Sequence, residues 1–234
     1  RRRILQRWSC DLLHILNVRL ETTGHPAPTH GLVVSNHISW LDIFVLNAVV
    51  PMRFVAKSEV RFWPLIGWLC DRAGTLFIER GNARAAARIN TQLGTLMQQG
   101  ACLAVFPEGT STDGAHVAHF HASLLQPAID AGTPPHPVAL RYADAGGTRS
   151  TAAAYFGDIS FGDSLWTLLN TPVLHVRVAA LPPLNAAAFE RRELARLAHG
   201  HIAAALAQAA SHTLHPALTP AQRTDANLPP SVRQ

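Results

Sequence analysis

Residues 33–42 read Val-Val-Ser-Asn-His-Ile-Ser-Trp-Leu-Asp, an apolar segment that runs into a polar turn. The apolar half predicts a buried strand, and the polar half places His37 at its end, with Asp42 following in a His-x4-Asp arrangement. A carboxylate near an imidazole fixes its tautomer and stabilises its protonated form, as a general base requires. Because the chain has 13 histidines, such a pair also arises by chance, and other motifs must support it.

Short apolar segments alternate with segments of helical periodicity from residue 31 onward. Such alternation predicts a single α/β domain, a mostly parallel sheet with helices on both faces. In sheets of this kind, functional side chains lie at the carboxyl ends of the strands. The predicted strands are 32–35, 53–56, 75–78, 102–106, 137–142 and 173–179, and the predicted helices are 43–49, 63–71, 82–99, 123–131 and 189–206.

A second polar turn, Pro107-Glu108-Gly109-Thr110, directly follows the predicted strand 102–106. The carboxyl ends of parallel strands meet at one edge of a sheet. We therefore expect Glu108 and His37 to lie in a single crevice.

The first 17 residues place apolar side chains at helical spacing behind a cluster of arginines. This pattern predicts a basic amphipathic helix lying on a membrane surface, with its arginines on lipid phosphates. A helix that packs its apolar stripe on the domain would show the same pattern, so both interpretations stay open. We divide the chain into a membrane-associating helix and linker (1–27), one domain (28–210) and a tail without periodicity, expected to be disordered (211–234).

The composition favours an anionic partner. The net charge is +5, and 48% of the residues are hydrophobic while only 15% are charged, which suits a membrane surface with anionic lipids or a phosphorylated substrate. No nucleic-acid-binding motif accompanies this charge, so no nucleic-acid partner is predicted.

The three cysteines are widely spaced and indicate neither a disulfide framework nor a zinc site. The tryptophans predicted to pack in the core or at its rim are Trp40, Trp63, Trp68 and Trp166.

No apolar run reaches the length of about 18 residues that spans a bilayer, because Asp42 interrupts the best candidate. The chain begins with Arg, however, so an anchor or signal further upstream stays open.

Three further stretches, taken with Asn36-His37-x4-Asp42, resemble the four signature blocks of the glycerophospholipid acyltransferases, the 1-acylglycerol-3-phosphate acyltransferase family. These stretches are Gly74-Thr-Leu-Phe-Ile-Glu-Arg80, Phe106-Pro-Glu-Gly-Thr110 and Pro137-Val-Ala139. Lys57-Ser-Glu and Pro64-Leu-Ile-Gly67 are also similar to the segment between the first two blocks. Each block alone is a weak pattern, but their order and separations make the resemblance specific over residues 28 to 205.

The resemblance implies transfer of an acyl group from acyl-CoA or acyl-carrier protein to the free hydroxyl of a lysolipid. The leading acceptor is 1-acyl-sn-glycerol-3-phosphate, which would give phosphatidate. His37 would be the general base, oriented by Asp42, with no covalent intermediate. The thioester is a co-substrate, and neither a further cofactor nor a metal is implied. A membrane-associated protein on the cytoplasmic face is expected.

The same resemblance implies a set of acceptor-binding residues. Arg80 is the leading candidate for the acceptor phosphate, because a buried phosphate needs charge-assisted hydrogen bonds, and Lys57 could add a second cation. Glu108 would either contact the acceptor or hold the site together, and Gly109 would let backbone amides approach an anion. The predicted binding residues are Asn36, Lys57, Glu79, Arg80, Glu108, Gly109 and Thr110.

One position departs from the family pattern. Many phosphatidate-forming members read Phe-Pro-Glu-Gly-Thr-Arg-Ser, whereas Ser111 and Thr112 follow Thr110 here. A cation expected at the phosphate is therefore missing. Relatives that act on lyso-ornithine lipid or lysophosphatidylcholine can carry hydroxyl residues at this place, so lyso-ornithine lipid stays open as an alternative acceptor.

The sequence also contains features of two other classes of protein. Gly162-Asp-Ser164-Leu spells the motif of a serine lipid hydrolase, but no Asp-x-x-His follows Ser164, and we expect Ser164 to cap a short helix ending at Leu169. A membrane-binding module without catalysis would not need His37, Asp42 and Glu108 together.

The closely spaced His116, His119 and His121 suggest a metal site. A closed zinc site normally has four protein ligands, and the sequence offers only these three, so no metal is predicted.

Overall fold

A computed structural model describes residues 2–62, 67, 74–78 and 83–212 of the chain. Within this part, a seven-stranded sheet is covered by six α-helices and three short 3-10 helices. The strands are β1 Val18–Gly24, β2 Gly31–Ser35, β3 Arg53–Lys57, β4 Leu76–Ile78, β5 Cys102–Val105, β6 Pro135–Ala143 and β7 Leu174–Ala180. The α-helices are α1 Arg2–Ile15, α2 Asp42–Val49, α3 Ala83–Gln98, α4 Gln126–Asp130, α5 Phe161–Leu169 and α6 Arg191–His212, and the 3-10 helices are Ser58–Phe62, Ala122–Leu124 and Ala186–Ala188.

The described strands lie in the order β1-β7-β6-β2-β5-β3-β4, and every neighbouring pair is parallel except β6 with β7. The predicted mostly parallel α/β fold is therefore confirmed. The central strands β2 and β5 run in register, with Val34 opposite Val105, so both end at the same edge of the sheet. The segments that follow them are the turns carrying His37 and Glu108.

Each face of the sheet carries its own apolar core. Strand β2 is buried along its whole length, and its residues alternate between the two cores, with Val33 in one and Val34 in the other. Such a strand needs helices on both sides. Helices α1, α2 and α5 pack on the face of Val33, while α3, α4 and α6 pack on the face of Val34.

Helix α1 packs only part of its apolar stripe on the domain. Leu13 is buried, whereas Ile4 and Ile15 remain 73% and 71% exposed. The Gln6 side chain donates to the carbonyl oxygens of Ala48 and Val49, which ties α1 to the end of α2. Among the described residues, no helix is both long and apolar enough to span a membrane.

Residues 18–24, which the sequence analysis assigned to a linker, form the edge strand β1. Only Val18 of this strand is buried, and the segment Val-Arg-Leu-Glu-Thr-Thr-Gly is too polar to show the apolar run of a central strand. Strand β1 is nevertheless fixed by its parallel pairing with β7 from Val18 to Gly24.

Several predicted boundaries differ or lie outside the described residues. The segment predicted as one helix over 123–131 is a 3-10 turn followed by α4, with Pro127 in the first turn of that helix. Helix α6 continues to His212, into the predicted tail. The rest of that tail (213–234), the helix predicted at 63–71 except Gly67, and the start of the helix at 82 lie outside the described residues.

Helix α5 is capped by Ser160 and not, as predicted, by Ser164. The Ser160 hydroxyl accepts the backbone N–H of Asp163 at 3.1 Å, as an N-cap residue does. Ser164 lies inside the helix and is buried, where its hydroxyl accepts the indole N–H of Trp40 at 3.1 Å. Trp166, predicted to pack in the core or at its rim, is 70% exposed.

Candidate active site

His37 and Asp42 form a hydrogen-bonded pair at the carboxyl edge of the sheet. The imidazole Nδ1–H donates to Asp42 Oδ2 at 2.8 Å, from the turn after β2 to the first residue of α2. The His37 side chain is 21% exposed, whereas the Asp42 side chain is completely buried. Because Asp42 accepts the Nδ1 proton, the lone pair lies on Nε2, the ring nitrogen that can act as a base.

The buried Asp42 carboxylate accepts four hydrogen bonds. Oδ2 also accepts the backbone N–H groups of Ile38 and Ser39, at 2.7 and 2.9 Å, and Oδ1 accepts the Tyr142 hydroxyl at 2.8 Å. Charge-assisted bonds of this kind offset the cost of burying a carboxylate. Burial, and then the Asp42 charge, raise the pKa of Tyr142 well above its ordinary value, so Tyr142 remains a hydrogen-bond donor.

The Glu108 carboxylate joins the two predicted turns directly. Its Oε1 accepts the backbone N–H of His37 at 2.7 Å, and its Oε2 accepts that of Ala118 at 2.8 Å. Burial raises the pKa of Glu108, while these two bonds act in the opposite direction. Since both oxygens bind backbone groups of the protein, this geometry favours the expectation that Glu108 holds the site together over direct contact with the acceptor.

Aromatic stacking fixes the plane of the imidazole. The Phe106 ring lies 4.1 Å from the His37 ring at an interplanar angle of 11°, and Phe54 stacks behind Phe106 at 5.9 Å. On the backbone side, the N–H of Thr112 donates to the His37 carbonyl at 2.9 Å. Sequence reasoning did not assign roles to Phe106, Thr112 or Tyr142, although the quoted family block includes Phe106.

Asn36, predicted to bind substrate, pairs with the backbone of β6. Its side-chain amide donates to the Leu140 carbonyl at 3.0 Å and accepts the Leu140 N–H at 2.8 Å. Asn36 is buried at 2% exposure, so it extends the pairing of β2 with β6 just before His37. This arrangement favours a positioning role for Asn36.

Of the remaining predicted binding residues, Gly109 and Thr110 follow β5 at the same edge. Gly109 has a φ of +66°, a left-handed conformation that favours glycine, and Thr110 is exposed beside it. Lys57 is the last residue of β3, and its side chain lies outside the described part of the structure. Glu79 and Arg80 also lie outside the described residues.

The features that suggested other chemistry do not form reactive sites. Ser164 is buried inside α5 with its hydroxyl on Trp40, which does not suit a nucleophile. The His119 and His121 rings lie edge to face with centroids 5.9 Å apart. No group of three histidine, cysteine, aspartate or glutamate side chains in the described residues is arranged to hold a metal.

A cavity of about 420 Å³ lies under the carboxyl-terminal half of α2. Leu46 and Val49 of α2, Val33 of β2 and Val178 of β7 contribute to its lining. None of the predicted site residues that the structure describes lines this cavity.

Fold and site together define an α/β protein that carries a histidine, hydrogen-bonded to a buried aspartate, at the carboxyl edge of a mostly parallel sheet. The profile of the family described as Acyltransferase matches residues 18–141, and the chain belongs to this family. The predicted resemblance is therefore confirmed, and the protein is an O-acyltransferase.

Similar proteins of known name cover most of the chain. A lyso-ornithine lipid O-acyltransferase of Pseudomonas aeruginosa is 37% identical over 91% of this chain and 82% of its own. A 1-acyl-sn-glycerol-3-phosphate acyltransferase of Neisseria meningitidis is 40% identical over 77% of this chain and 71% of its own. The crystal structure of PlsC, the 1-acyl-sn-glycerophosphate acyltransferase of Thermotoga maritima, has the same fold, with a TM-score of 0.66 over 88% of this chain and 78% of that chain at 22% identity.

Proposed function

We propose that this acyltransferase moves a fatty acyl group from a thioester, acyl-CoA or acyl-carrier protein, to the free hydroxyl of a lysolipid. The observation that carries the proposal is the 2.8 Å bond from His37 to Asp42 at the open edge of the sheet. The lysolipid as acceptor is supported by the names of the relatives, which act on lyso-ornithine lipid and on 1-acyl-sn-glycerol-3-phosphate.

The chemistry follows from the tautomer that Asp42 imposes. His37 Nε2 takes the proton of the acceptor hydroxyl, and the oxygen attacks the thioester carbonyl. When the tetrahedral intermediate collapses, the carbon–sulfur bond breaks, and the imidazolium returns the proton to the departing thiolate. The charge on Asp42 stabilises the imidazolium between these two steps.

Glu108 and Asn36 contribute by positioning and not by proton transfer. Glu108 accepts the His37 backbone N–H from the side of the second turn, and Asn36, the residue before His37, is fixed by its two bonds to the Leu140 backbone of β6. A base held in the correct geometry contributes about 10²- to 10⁴-fold to the rate, and small displacements forfeit much of that gain.

Lysophosphatidate is the acceptor that the charges of this edge favour. Lys57 ends β3, Arg61 lies in the 3-10 helix that follows it, and Arg80 comes two residues after the end of β4 in the sequence. Strands β3 and β4 are parallel, so their carboxyl ends share one edge. Three cationic residues after these strands suit a phosphate headgroup.

A second acceptor, lyso-ornithine lipid, is favoured by the residue after Thr110. Ser111 stands where many phosphatidate-forming relatives carry arginine, and its hydroxyl donates to the carbonyl of Tyr155. A hydroxyl engaged in this way supplies no positive charge to a phosphate.

The two acceptors can be separated in one assay. The purified protein is given radiolabelled acyl-CoA or acyl-carrier protein with lysophosphatidate or lyso-ornithine lipid, and the lipid products are identified. We expect a higher kcat/KM for lysophosphatidate with one of the two donors. A clear preference for lyso-ornithine lipid would reverse the choice, and turnover of neither lipid would contradict the proposed function.

The membrane partner is proposed to bind through α1. Arg2, Arg3 and Arg7 are exposed on this helix, while Trp8 and Ile4 expose apolar surface beside them. Such a surface suits anionic lipid headgroups above an apolar layer. This surface supports the proposal that the protein associates with a membrane, and the cytoplasmic face is proposed as its location.

A further inference from the structure

Large apolar side chains are exposed on α5 and in the segment that leads into it. Together they form what we call the α5 patch. Trp166 and Leu169, on the outer side of α5, are 70% and 55% exposed. Phe156 and Ile159, in the segment leading into the helix, are 42% and 37% exposed. Four large apolar residues are thus exposed within the 14 residues 156–169, a density that indicates an interaction surface, whereas scattered single exposed apolar residues do not.

Tyr155, the residue before the α5 patch, is hydrogen-bonded to the segments that follow His37 and Glu108. The backbone N–H of Tyr155 donates to the Ile38 carbonyl at 2.9 Å, and the Tyr155 carbonyl accepts the Ser111 hydroxyl. Phe156 is the next residue. The patch therefore begins where the turn of His37 meets the turn that follows Glu108.

Packed aromatic rings connect the α5 patch to the exposed part of α1. Trp8 of α1 contacts Phe44 at a centroid distance of 5.4 Å, Phe44 contacts Trp40 at 5.9 Å, and Trp40 contacts Phe161 of α5 at 5.1 Å. The Trp40 indole also donates to Ser164 inside α5. The exposed apolar part of α1 and the α5 patch are thus linked through packed side chains. The linking residues, Trp40 and Phe44, flank Asp42 in the sequence.

The charges beside the α5 patch distinguish it from α1. Residues 156–169 contain no lysine, arginine or histidine, and their only charged residues are Asp158 and Asp163. The patch would therefore gain no attraction from anionic headgroups, in contrast to the arginines of α1. An exposed tryptophan beside a leucine is typical of residues that lie at a membrane–water interface.

We propose that the α5 patch is a second bilayer-contact surface, which inserts Trp166 and Leu169 into the lipid interface beside the active site. The inference rests on the proposed function in one respect, which is that the lysolipid acceptor of the proposed reaction resides in a bilayer. Each methylene drawn from lipid into water costs free energy, so contact at the edge of the active site spares the acceptor a passage through water. The arginines of α1 supply attraction to anionic lipid, and the α5 patch supplies apolar contact that is independent of headgroup charge.

The test uses vesicles of phosphatidylcholine alone, at high salt, where attraction through arginine is suppressed. The full chain and the double variant Trp166→Ser/Leu169→Ser are compared by co-flotation, after thermal melting has shown that both are folded. We expect about tenfold weaker binding for the double variant, because it removes two apolar side chains from the interface. Trp166→Leu/Leu169→Trp, which keeps the apolar surface, should bind like the parent.

Phe189→Ser is the matched control, because Phe189 is 38% exposed and precedes α6, on the other sheet face. Binding of this control should not change. Equal binding by the parent and the double variant would overturn the proposal, as would a parent dimer, seen by light scattering, that the double variant converts to monomer. Turnover of a water-soluble short-chain lysophosphatidate, measured on the same preparations without vesicles, tests the proposed function separately. If the double variant retains turnover and binds vesicles as the parent does, the role of the α5 patch is refuted and the proposed function is not.

Discussion

The Asp42 carboxylate lies in the candidate active site with no exposure to solvent and four hydrogen-bond donors around it. Two of these donors are backbone groups of its own turn, and the other two are the side chains of His37 and Tyr142. Removing a donor leaves a buried charge less well stabilised, so the effect should exceed that of an ordinary hydrogen bond.

Tyr142→Phe removes one such donor while keeping the ring in place. We expect the free energy of unfolding to fall by about 1.5–3 kcal/mol, because Asp42 Oδ1 loses its hydroxyl partner in a buried environment. Urea denaturation at neutral pH measures this change. A loss below about 0.5 kcal/mol would show that the hydroxyl does not stabilise the carboxylate.

Glu108 predicts a pH dependence of stability. Burial raises the pKa of Glu108 above its ordinary value of 4.5, so the folded protein holds this proton to higher pH than the unfolded chain does. The stabilisation from this group is complete below the unfolded pKa and is lost as the pH rises through the folded pKa. Compared with Glu108→Gln, which cannot ionise, the parent should therefore lose stability as the pH rises from 4.5 towards neutrality. Urea denaturation of both proteins across this pH range measures the two free energies of unfolding. The same dependence on pH in both proteins would contradict the prediction.

At the residue scale, the sequence predicts His37, Asp42 and Glu108 as candidates because each belongs to a short motif at the end of an apolar run. Tyr142 could not be assigned in the same way. Its bond to Asp42 joins residues separated by 100 positions, and no local spacing signals such a contact. Asn36 was assigned from its motif, but as a substrate-binding residue, because its bond to Leu140 forms only after β2 and β6 pair.

At the scale of elements, the edge strand β1 ends in a backbone contact that only glycine allows. Gly24 has a φ of +85°, and a Cβ there would lie 2.1 Å from the Ala180 carbonyl oxygen of β7. Gly24→Ala should therefore lower the free energy of unfolding by about 2 kcal/mol or more, through backbone strain and steric overlap.

Gly94→Ala is the matched control for this change. Gly94 lies inside α3, and apart from the adjacent residues and the backbone of its own helix no atom lies within 4 Å of the added Cβ, so the same substitution should raise stability by about 0.5–1 kcal/mol. Thermal or urea unfolding should show that Gly24→Ala lowers stability and Gly94→Ala raises it. Stability changes of the same sign in the two variants would contradict this account.

Buried strands are the elements that sequence predicts best. β2 and β5 consist of buried residues only, so each appears as an apolar run. β1 has one buried residue, and its stability comes from pairing with β7, at the far end of the chain. The sequence also carries no signal for the antiparallel pairing of β6 with β7, which depends on how the chain crosses the sheet.

At the scale of the whole molecule, alternating apolar segments were enough to predict a mostly parallel sheet with helices on both faces. The position of the site at the carboxyl edge of that sheet followed from the same rule. The exposed apolar surface could not be predicted in this way, because α1 and α5 each divide their apolar residues between the core and solvent.

The arginines of α1 predict salt-dependent binding to anionic vesicles. Arg3→Gln/Arg7→Gln should weaken binding by about 2 kcal/mol, or roughly thirtyfold, since each arginine near an anionic surface contributes about 1 kcal/mol. Arg191→Gln/Arg192→Gln removes equal charge from the start of α6 and should have little effect. Flotation with vesicles containing phosphatidylglycerol at low and high salt measures both. Equal losses from the two pairs would show that net charge, and not α1, determines binding.

Acyl transfer by His37→Ala tests the central claim most directly. The variant and the parent are purified, shown to melt alike, and supplied with a radiolabelled acyl thioester and a lysolipid. Without Nε2 to take the acceptor proton, kcat should fall by about 10²- to 10⁴-fold, and His37→Gln should be impaired to a similar extent. Folded variants that retain turnover within a few-fold of the parent would contradict the assignment of His37 as the base.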